Sequence, residues 1–326
     1  MIAPELAELA FVDLYLGARY ADYSPLAGAF APRMDLPEGL REAAERLRAA
    51  CQEAHEHAGD SRFTIELAGP GTLCRVQVMH DLRAEPVFVL RRIASEIRPF
   101  DRLGLPSYVI QFLMQSSTRG LIIFVGEQGT GKTTSAASLL SARLHALGGR
   151  ALAVEDPPET MLDGLHGPGR CLQVPVSKRH GSYSEQIHNG MRSGVSTLLI
   201  GEVRSAETAR EAVTQSINGM TVITTIHGTD PSDGLRRLVT WAEATQDGLS
   251  NAADLLASGL AGVVHQRIER IGQPDGPQKA KAMFKSLLVP PPDDQAGAGI
   301  RSKVRNGDMD GLKEDIEQQV RRQQWK

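Results

Sequence analysis

The chain has little cysteine, no excess of either charge and no long apolar run, and each absence closes off a class of explanation. Its three cysteines, Cys51, Cys74 and Cys171, are far apart, odd in number and without CxxC spacing. Neither a disulfide framework nor a zinc site fits them, and a reducing compartment does. Lys and Arg number 36 against 39 Asp and Glu, so global charge directs the chain neither to nucleic acid nor to an anionic membrane. No stretch reaches the roughly 18 apolar residues of a membrane-spanning helix. No basic segment followed by an apolar core and a small-residue cleavage site lies near the N-terminus. The expected location is cytoplasmic, and 326 residues leave room for two domains.

The patterning changes part-way along. PEGLREAAERLRAACQEAHEH (37–57) places Leu40, Ala43, Leu47, Ala50 and Ala54 at three- and four-residue steps, which predicts an amphipathic helix. His55 and His57 at its end are two apart, point different ways and read as solvated surface. RFTIEL and CRVQVM predict two short strands, with AGPGT (68–72) as the turn between them. RPFDRLGLP (98–106) carries two prolines and a glycine and reads as a linker between domains. Beyond it, four aliphatic runs alternate with helical stretches: LIIFV (121–125), ALAV (151–154), TLLI (197–200) and VITTI (222–226). That rhythm predicts a parallel sheet covered on both faces. Each run ends in glycine or polar residues at its carboxyl end, the edge where open parallel sheets bind ligands.

The first of these ends carries the strongest motif. GEQGTGKTT, residues Gly126, Glu127, Gln128, Gly129, Thr130, Gly131, Lys132, Thr133 and Thr134, fits GxxxxGK[ST], follows a strand and precedes the helical SAASLLSARLHAL. Glycines let backbone N–H groups approach phosphates, the helix N-terminus favours their charge, Lys132 reaches the β- and γ-phosphates, and Thr133 holds Mg²⁺. ATP with Mg²⁺ is the expected ligand. Hydrolysis further requires one carboxylate to orient water and another for the metal shell. Glu155, Asp156, Glu159 and Glu202 lie at two of the other strand ends. VITTIHG (222–228) would bring His227 to the same edge, with Gly228 letting the backbone turn behind it.

EDPPE (155–159), GMRSGVSTLLIGEVRSAETA (190–209) and GMTVITTIHGTDPSDGLRRL (219–238) together resemble the Asp, Walker B and His boxes of the secretion and pilus motor ATPases. That family includes PilT-like pilus retraction motors, type II secretion ATPases and DotB-like ATPases of type IVB secretion. Upstream, CRVQVMHDLRAEPVFVLRRIASEIRPFDRLGLP (74–106) resembles the end of the family's PAS-like N-terminal domain and its linker, and FVDLYLG (11–17) that domain's first strand. The resemblance spans residues 60 to 265 or so. It implies that Glu159 is the catalytic base, that Glu202 acts on the Mg²⁺ shell and that His227 contacts the γ-phosphate. It also implies that Arg192 and Arg204 occupy family arginine positions, and that Arg75, Arg83 and Arg91 match N-domain arginines that meet nucleotide at a subunit boundary. The chain departs from the family in EDPPE, which has proline where the family more often has an aliphatic residue, in IHG for the more usual IHT or LHT, and in GTGKTT for GSGKST. The four-cysteine metal module of many type II secretion ATPases is missing, which favours the PilT and DotB branches.

The fold expected is α/β, a RecA-like P-loop ATPase core with a parallel sheet, preceded by a smaller PAS-like α+β domain. The expected boundaries are 1–97 for the PAS-like domain, 98–106 for the linker, 107–270 for the ATPase domain and 271–326 for a C-terminal helical appendage or tail. The family likeness implies a homo-hexamer in which ATP binding and hydrolysis shift one domain against the other. Such a motor would work on inner-membrane platform proteins of a type IV secretion, conjugation or pilus machine, peripheral to the membrane and without direct nucleic-acid binding. Two other readings stand beside it: a nucleotide-gated assembly or regulatory subunit without turnover, and a small-molecule P-loop kinase, for which the sequence has no lid or acceptor pocket.

Overall fold

The computed structural model describes residues 2–25, 33–69, 72–177, 181–244, 248–271 and 279–324. The chain divides into two compact units, one of residues 1–96, 156–161 and 175–182, the other of 97–155, 162–174 and 183–326.

The first unit contains α1 (Pro4–Ala7), β1 (Phe11–Leu16), β2 (Ala21–Pro25), β3 (Met34–Asp35), α2 (Arg41–Ala58), β4 (Arg62–Glu66), β5 (Leu73–His80) and β6 (Pro86–Arg92). Its sheet runs β3-β2-β1-β6-β5-β4, with antiparallel neighbours. Alternation along the strands decides the faces. Cys74, Val76, Val78, Phe88, Leu90, Leu14 and Leu16 are buried with Ala43, Ala44, Leu47 and Cys51 of α2 in one core. Arg75, Gln77 and Met79 alternate with them. The helix expected over 37–57 begins as a short 3₁₀ turn at Glu38–Leu40 and becomes α-helical at Arg41. It ends at Gly59, whose φ of 62° and bond to the His55 carbonyl make a left-handed C-cap. His55 Nδ1 bonds the Asp60 carbonyl at 2.8 Å, whereas His57 is exposed. Part of the AGPGT turn, residues 70 and 71, lies outside the described residues.

The second unit contains α3 (Ser107–Leu113), β7 (Gly120–Gly126), α4 (Lys132–Leu147), β8 (Arg150–Glu155), β9 (Gly164–His166), β10 (Gly169–Pro175), α5 (Tyr183–Met191) and β11 (Thr197–Val203). It continues with α6 (Ala206–Ser216), β12 (Thr221–His227), α7 (Pro231–Glu243), α8 (Ala252–Gly259), β13 (Leu260–Ile271), β14 (Lys279–Leu288), α9 (Gln295–Arg305) and α10 (Leu312–Gln324). Among the described residues its sheet runs β14-β13-β7-β12-β11-β8-β10-β9. The four predicted runs lie at its centre and are parallel. Leu121 through Val125 are each 0% exposed, as strands covered on both faces must be. Ile122, Phe124, Ala153, Leu199 and Ile223 pack with Ala136, Leu139, Leu140 and Leu144 of α4.

Two segments differ from the expectation. Residues 98–106 are not a bare connection: Phe100 and Leu105 are buried in the core of the second unit, so burial of two large apolar side chains ties the Pro-rich stretch to that body. Likewise the chain after residue 270 is neither a simple appendage nor a tail. β14 pairs antiparallel with β13, and Ile300, Val304, Met309, Leu312 and Ile316 are buried. The Gln319 amide accepts from the Leu288 N–H at 2.9 Å and donates to its carbonyl at 2.7 Å, tying α10 to β14. The stretch QPDGPQK (273–279) falls almost wholly outside the described residues. VPPPDDQAGAG (289–299) passes into α9 at Gln295, where the Asp294 side chain caps the N–H groups of Ala296 and Gly297.

Candidate functional site

The loop between β7 and α4 has the geometry of a phosphate cradle. Gly129 and Gly131 have φ of 76° and 88°, values that L side chains rarely adopt. Gly126 is required for a different reason: a β-carbon there would lie 2.4 Å from the Gln266 carbonyl oxygen and 2.8 Å from Thr130 Oγ1. The Glu127 carbonyl gathers the loop, accepting from Thr130 Oγ1 at 2.8 Å and from Lys132 Nζ at 2.7 Å. No side chain caps α4. Its first-turn N–H groups and dipole therefore favour an anion, with the mostly buried Lys132 ammonium on the same turn.

The neighbouring strand ends converge on this loop. His227 is in register with Gly126. On the far side of β12, Ile200 pairs with Thr224 but Val203 pairs with Ile226. Three steps on β11 match two on β12, which is a β-bulge at Gly201–Glu202 that re-aims the glutamate. Glu202 Oε1 lies 3.7 Å from His227 Nε2, and its other oxygen accepts from Arg204. The His227 pKa is pressed below the ordinary histidine range, first by burial and next by the Lys132 cation, against the opposing pull of Glu202. The ring is thus neutral near pH 7, and its contact with Glu202 is a polar contact between a neutral imidazole and a carboxylate. Gly228 has no left-handed φ; a β-carbon there would meet Val125 Cγ1 at 2.7 Å, so close packing on β7, not the turn, demands glycine.

The carboxylates of EDPPE divide. Glu155 closes β8 in the second unit, 2% exposed, and accepts from Gln173 Nε2 at 2.5 Å. A β-carbon on Gly201 would meet its Cγ at 2.9 Å, so glycine at the bulge makes room for it. Cys171 beside it has its thiol pKa pushed up to about 12, mainly by burial and then by Glu155. Asp156 and Glu159 belong to the first unit. Arg62 Nη1 reaches both Asp156 oxygens at 2.8 Å, and Arg75 Nη1 pairs with Glu159 at 3.1 Å. The Glu159 backbone is fixed by the Ala94 N–H at 3.0 Å. Arg75 is opposite Arg91 across β5 and β6, and Arg91 grips Asp13 through two bonds of 2.5 and 2.7 Å. Arg83 is not in this cluster. It sits in the β5–β6 turn, its backbone N–H bonded to Asp81 at 2.8 Å. Arg192 is exposed just past α5.

The family model for type II/IV secretion system proteins matches residues 53–296. This chain belongs to that family. It is 30% identical to the type IV pilus ATPase PilU of Pseudomonas aeruginosa over 262 residues, 78% of this chain and 64% of PilU. The chain thus spans less than two thirds of that relative's length. The crystal structure of the pilus retraction motor PilT with bound ADP superposes with a TM-score of 0.73 at 22% identity, covering 95% of this chain and 86% of the other. The ATPase DotB of Legionella pneumophila gives 0.73 at 18% identity over 96% and 86%. The chain therefore has the α/β fold of these secretion and pilus ATPases, with an N-terminal domain ahead of the sheet that carries the phosphate loop.

Two site residues escaped the sequence reading. Gln173 and Gln266 reach Glu155 and the Thr130 carbonyl across 18 and 136 positions, and neither is in a motif. A buried glutamine in an apolar strand was the available signal for Gln266, and its partner was not legible.

Proposed function

We propose that this chain hydrolyses ATP and, as a homo-hexamer with nucleotide between subunits, drives a type IV secretion, conjugation or type IV pilus machine. The observation that carries the reading is the convergence of the uncapped phosphate loop, bulge-presented Glu202 and His227 at one sheet edge, in a chain of this family. The residues fit the ligand. The glycine cradle accepts phosphate oxygens, Lys132 faces the β- and γ-phosphates, and Gly126 to Thr134 form the wall. Among the described residues no group of three or more His, Cys, Asp or Glu forms an all-protein metal site. Mg²⁺ in nucleotide sites is commonly held by one or two protein oxygens together with phosphates and water, and Thr133 and Glu202 are the proposed pair, Glu202 directly or through water. Bound there, Mg²⁺ would neutralise charge developing on the transferred phosphoryl group.

Glu159 is the proposed base that orients water. Its pairing with Arg75 at 3.1 Å orients the carboxylate. His227, neutral, donates a hydrogen bond to a γ-phosphate oxygen when a third phosphate is present and loses that contact when it is absent. That difference in contact free energy is what a nucleotide-driven change of state needs. Arg75, Arg83, Arg91, Arg192 and Arg204 are proposed to reach nucleotide, the first three across a subunit boundary. Inner-membrane platform proteins are the proposed partners, with the motor on the cytoplasmic face and no direct nucleic-acid contact. Among the described residues no helix is long and apolar enough to cross a membrane. The test combines steady-state phosphate release with sedimentation in the presence of Mg-ATP. Turnover by a hexamer supports the reading. Nucleotide binding without phosphate release would leave a nucleotide-gated subunit, and a monomer phosphorylating a metabolite would overturn the reading.

A further inference from the structure

We infer that Gln266 is a positioning residue of the phosphate loop, turning one peptide group so that its N–H faces the bound phosphates; the inference rests on the nucleotide reading above. β13 runs parallel to β7 with His265 opposite Val125, so Gln266 stands where β7 gives way to the loop. It is 2% exposed, and its Nε2 donates to the Thr130 carbonyl at 2.5 Å. Its Oε1 is buried without a hydrogen-bond partner among the described residues. The amide orientation is nevertheless determined, because the reverse assignment would face oxygen to oxygen. A buried amide oxygen left unpaired is a cost that an apolar side chain of similar volume would avoid. The donor is what the position gains in exchange.

The consequence follows from peptide geometry. In a trans peptide the C=O and N–H point in opposite directions. With the Thr130 carbonyl held on the β13 side, the Gly131 N–H is turned away from β13, toward the concave side of the loop. That peptide needs an external tether because Gly129 and Gly131, at φ of 76° and 88°, are the residues least restricted by their own sterics. Glycine at 131 also admits the tether: a β-carbon there would come within 3.2 Å of Gln266 Nε2.

The test uses the full chain and three probes, AMP, ADP and ATP with Mg²⁺, titrated calorimetrically into wild type and Gln266→Met, which keeps the volume and loses the donor. ADP and ATP affinity should fall about tenfold, the scale of one lost hydrogen bond. AMP affinity should change less than about twofold, and the unliganded melting temperature should hold. Gln266→Asn, one methylene shorter and so too short to reach Thr130, takes over if the methionine variant does not fold. Unchanged ADP affinity in a folded variant overturns the inference. So does a parallel loss for all three nucleotides with a fallen melting temperature, which would mark Gln266 as purely structural. A wild-type chain that binds none of the probes removes the nucleotide reading itself.

Discussion

Lys132→Ala deletes a cation that is 7% exposed and whose Nζ donates to the Glu127 carbonyl at 2.7 Å. In the unliganded protein two terms oppose each other. A hydrogen bond from a charged group, worth about 1.5–3 kcal/mol, is lost, while the cost of keeping an ammonium largely out of water disappears. The unliganded stability should therefore move by no more than about 1 kcal/mol. With nucleotide bound only the loss remains, because the ammonium would face phosphate oxygens. A deficit of about 2.4 kcal/mol, inside the range for charge-assisted bonds, corresponds to roughly 50-fold in Kd. Linkage turns this into a thermal-shift measurement. At nucleotide 100 times the wild-type Kd the wild type gains about 2.7 kcal/mol, whereas the variant, at only about twice its own Kd, gains about 0.65 kcal/mol. Equal nucleotide-induced stabilisation of the two proteins would refute the phosphate-loop assignment. Collapse of the unliganded variant would refute the claim that the two opposing terms cancel.

Glu202→Gln and Glu159→Gln should each keep Mg-ATP affinity within about threefold while phosphate release falls on the order of a hundredfold; normal turnover in both would end the carboxylate roles. Loss of the Arg75 pair in Glu159→Gln should cost at most about 1 kcal/mol in a denaturant titration, since the pair is partly exposed, with side chains 23% and 44% accessible. His227→Ala should retain ADP affinity and melting temperature and lose ATP turnover. Equal turnover, or a melting temperature that collapses without nucleotide, would make the histidine structural. Gly228→Ala places a methyl 2.7 Å from Val125 Cγ1 and should destabilise by about 1–3 kcal/mol, read by urea denaturation. Buried His265 also has its pKa depressed, mainly by burial. Since the unfolded chain protonates at the ordinary value near 6.5, His227 and His265 should together make stability fall as pH drops below about 6.5. His265→Gln should flatten that fall.

What the sequence determined is what local physics dictates. Leu121–Val125, Leu198–Ile200 and Val222–Ile226 could hardly be anything but strands buried on both faces, and GEQGTGKT following the first of them could only close as a glycine-rich turn into a helix. The placement of Lys132 and His227 at one edge follows from a parallel sheet, because every such strand delivers its carboxyl end to the same side. The strand order, which puts β12 between β7 and β11, was decided by tertiary structure. So was the extra residue at Gly201–Glu202, since a bulge is a mismatch between two strands and neither strand contains it alone. The assignment of Phe100, Leu105 and residues 279–324 to the second body was decided the same way: their burial depends on distant partners, and proline, glycine and charge near them read locally as linker or tail. EDPPE divides between the two units for a similar reason. Glu155 is fixed by Gln173 and by room at Gly201, whereas Glu159 is fixed by Arg75 and Ala94, and no spacing within the five residues encodes that division. Gln266 is the clearest instance, because a hydrogen bond spanning 136 positions exists only once β13 has been laid beside β7.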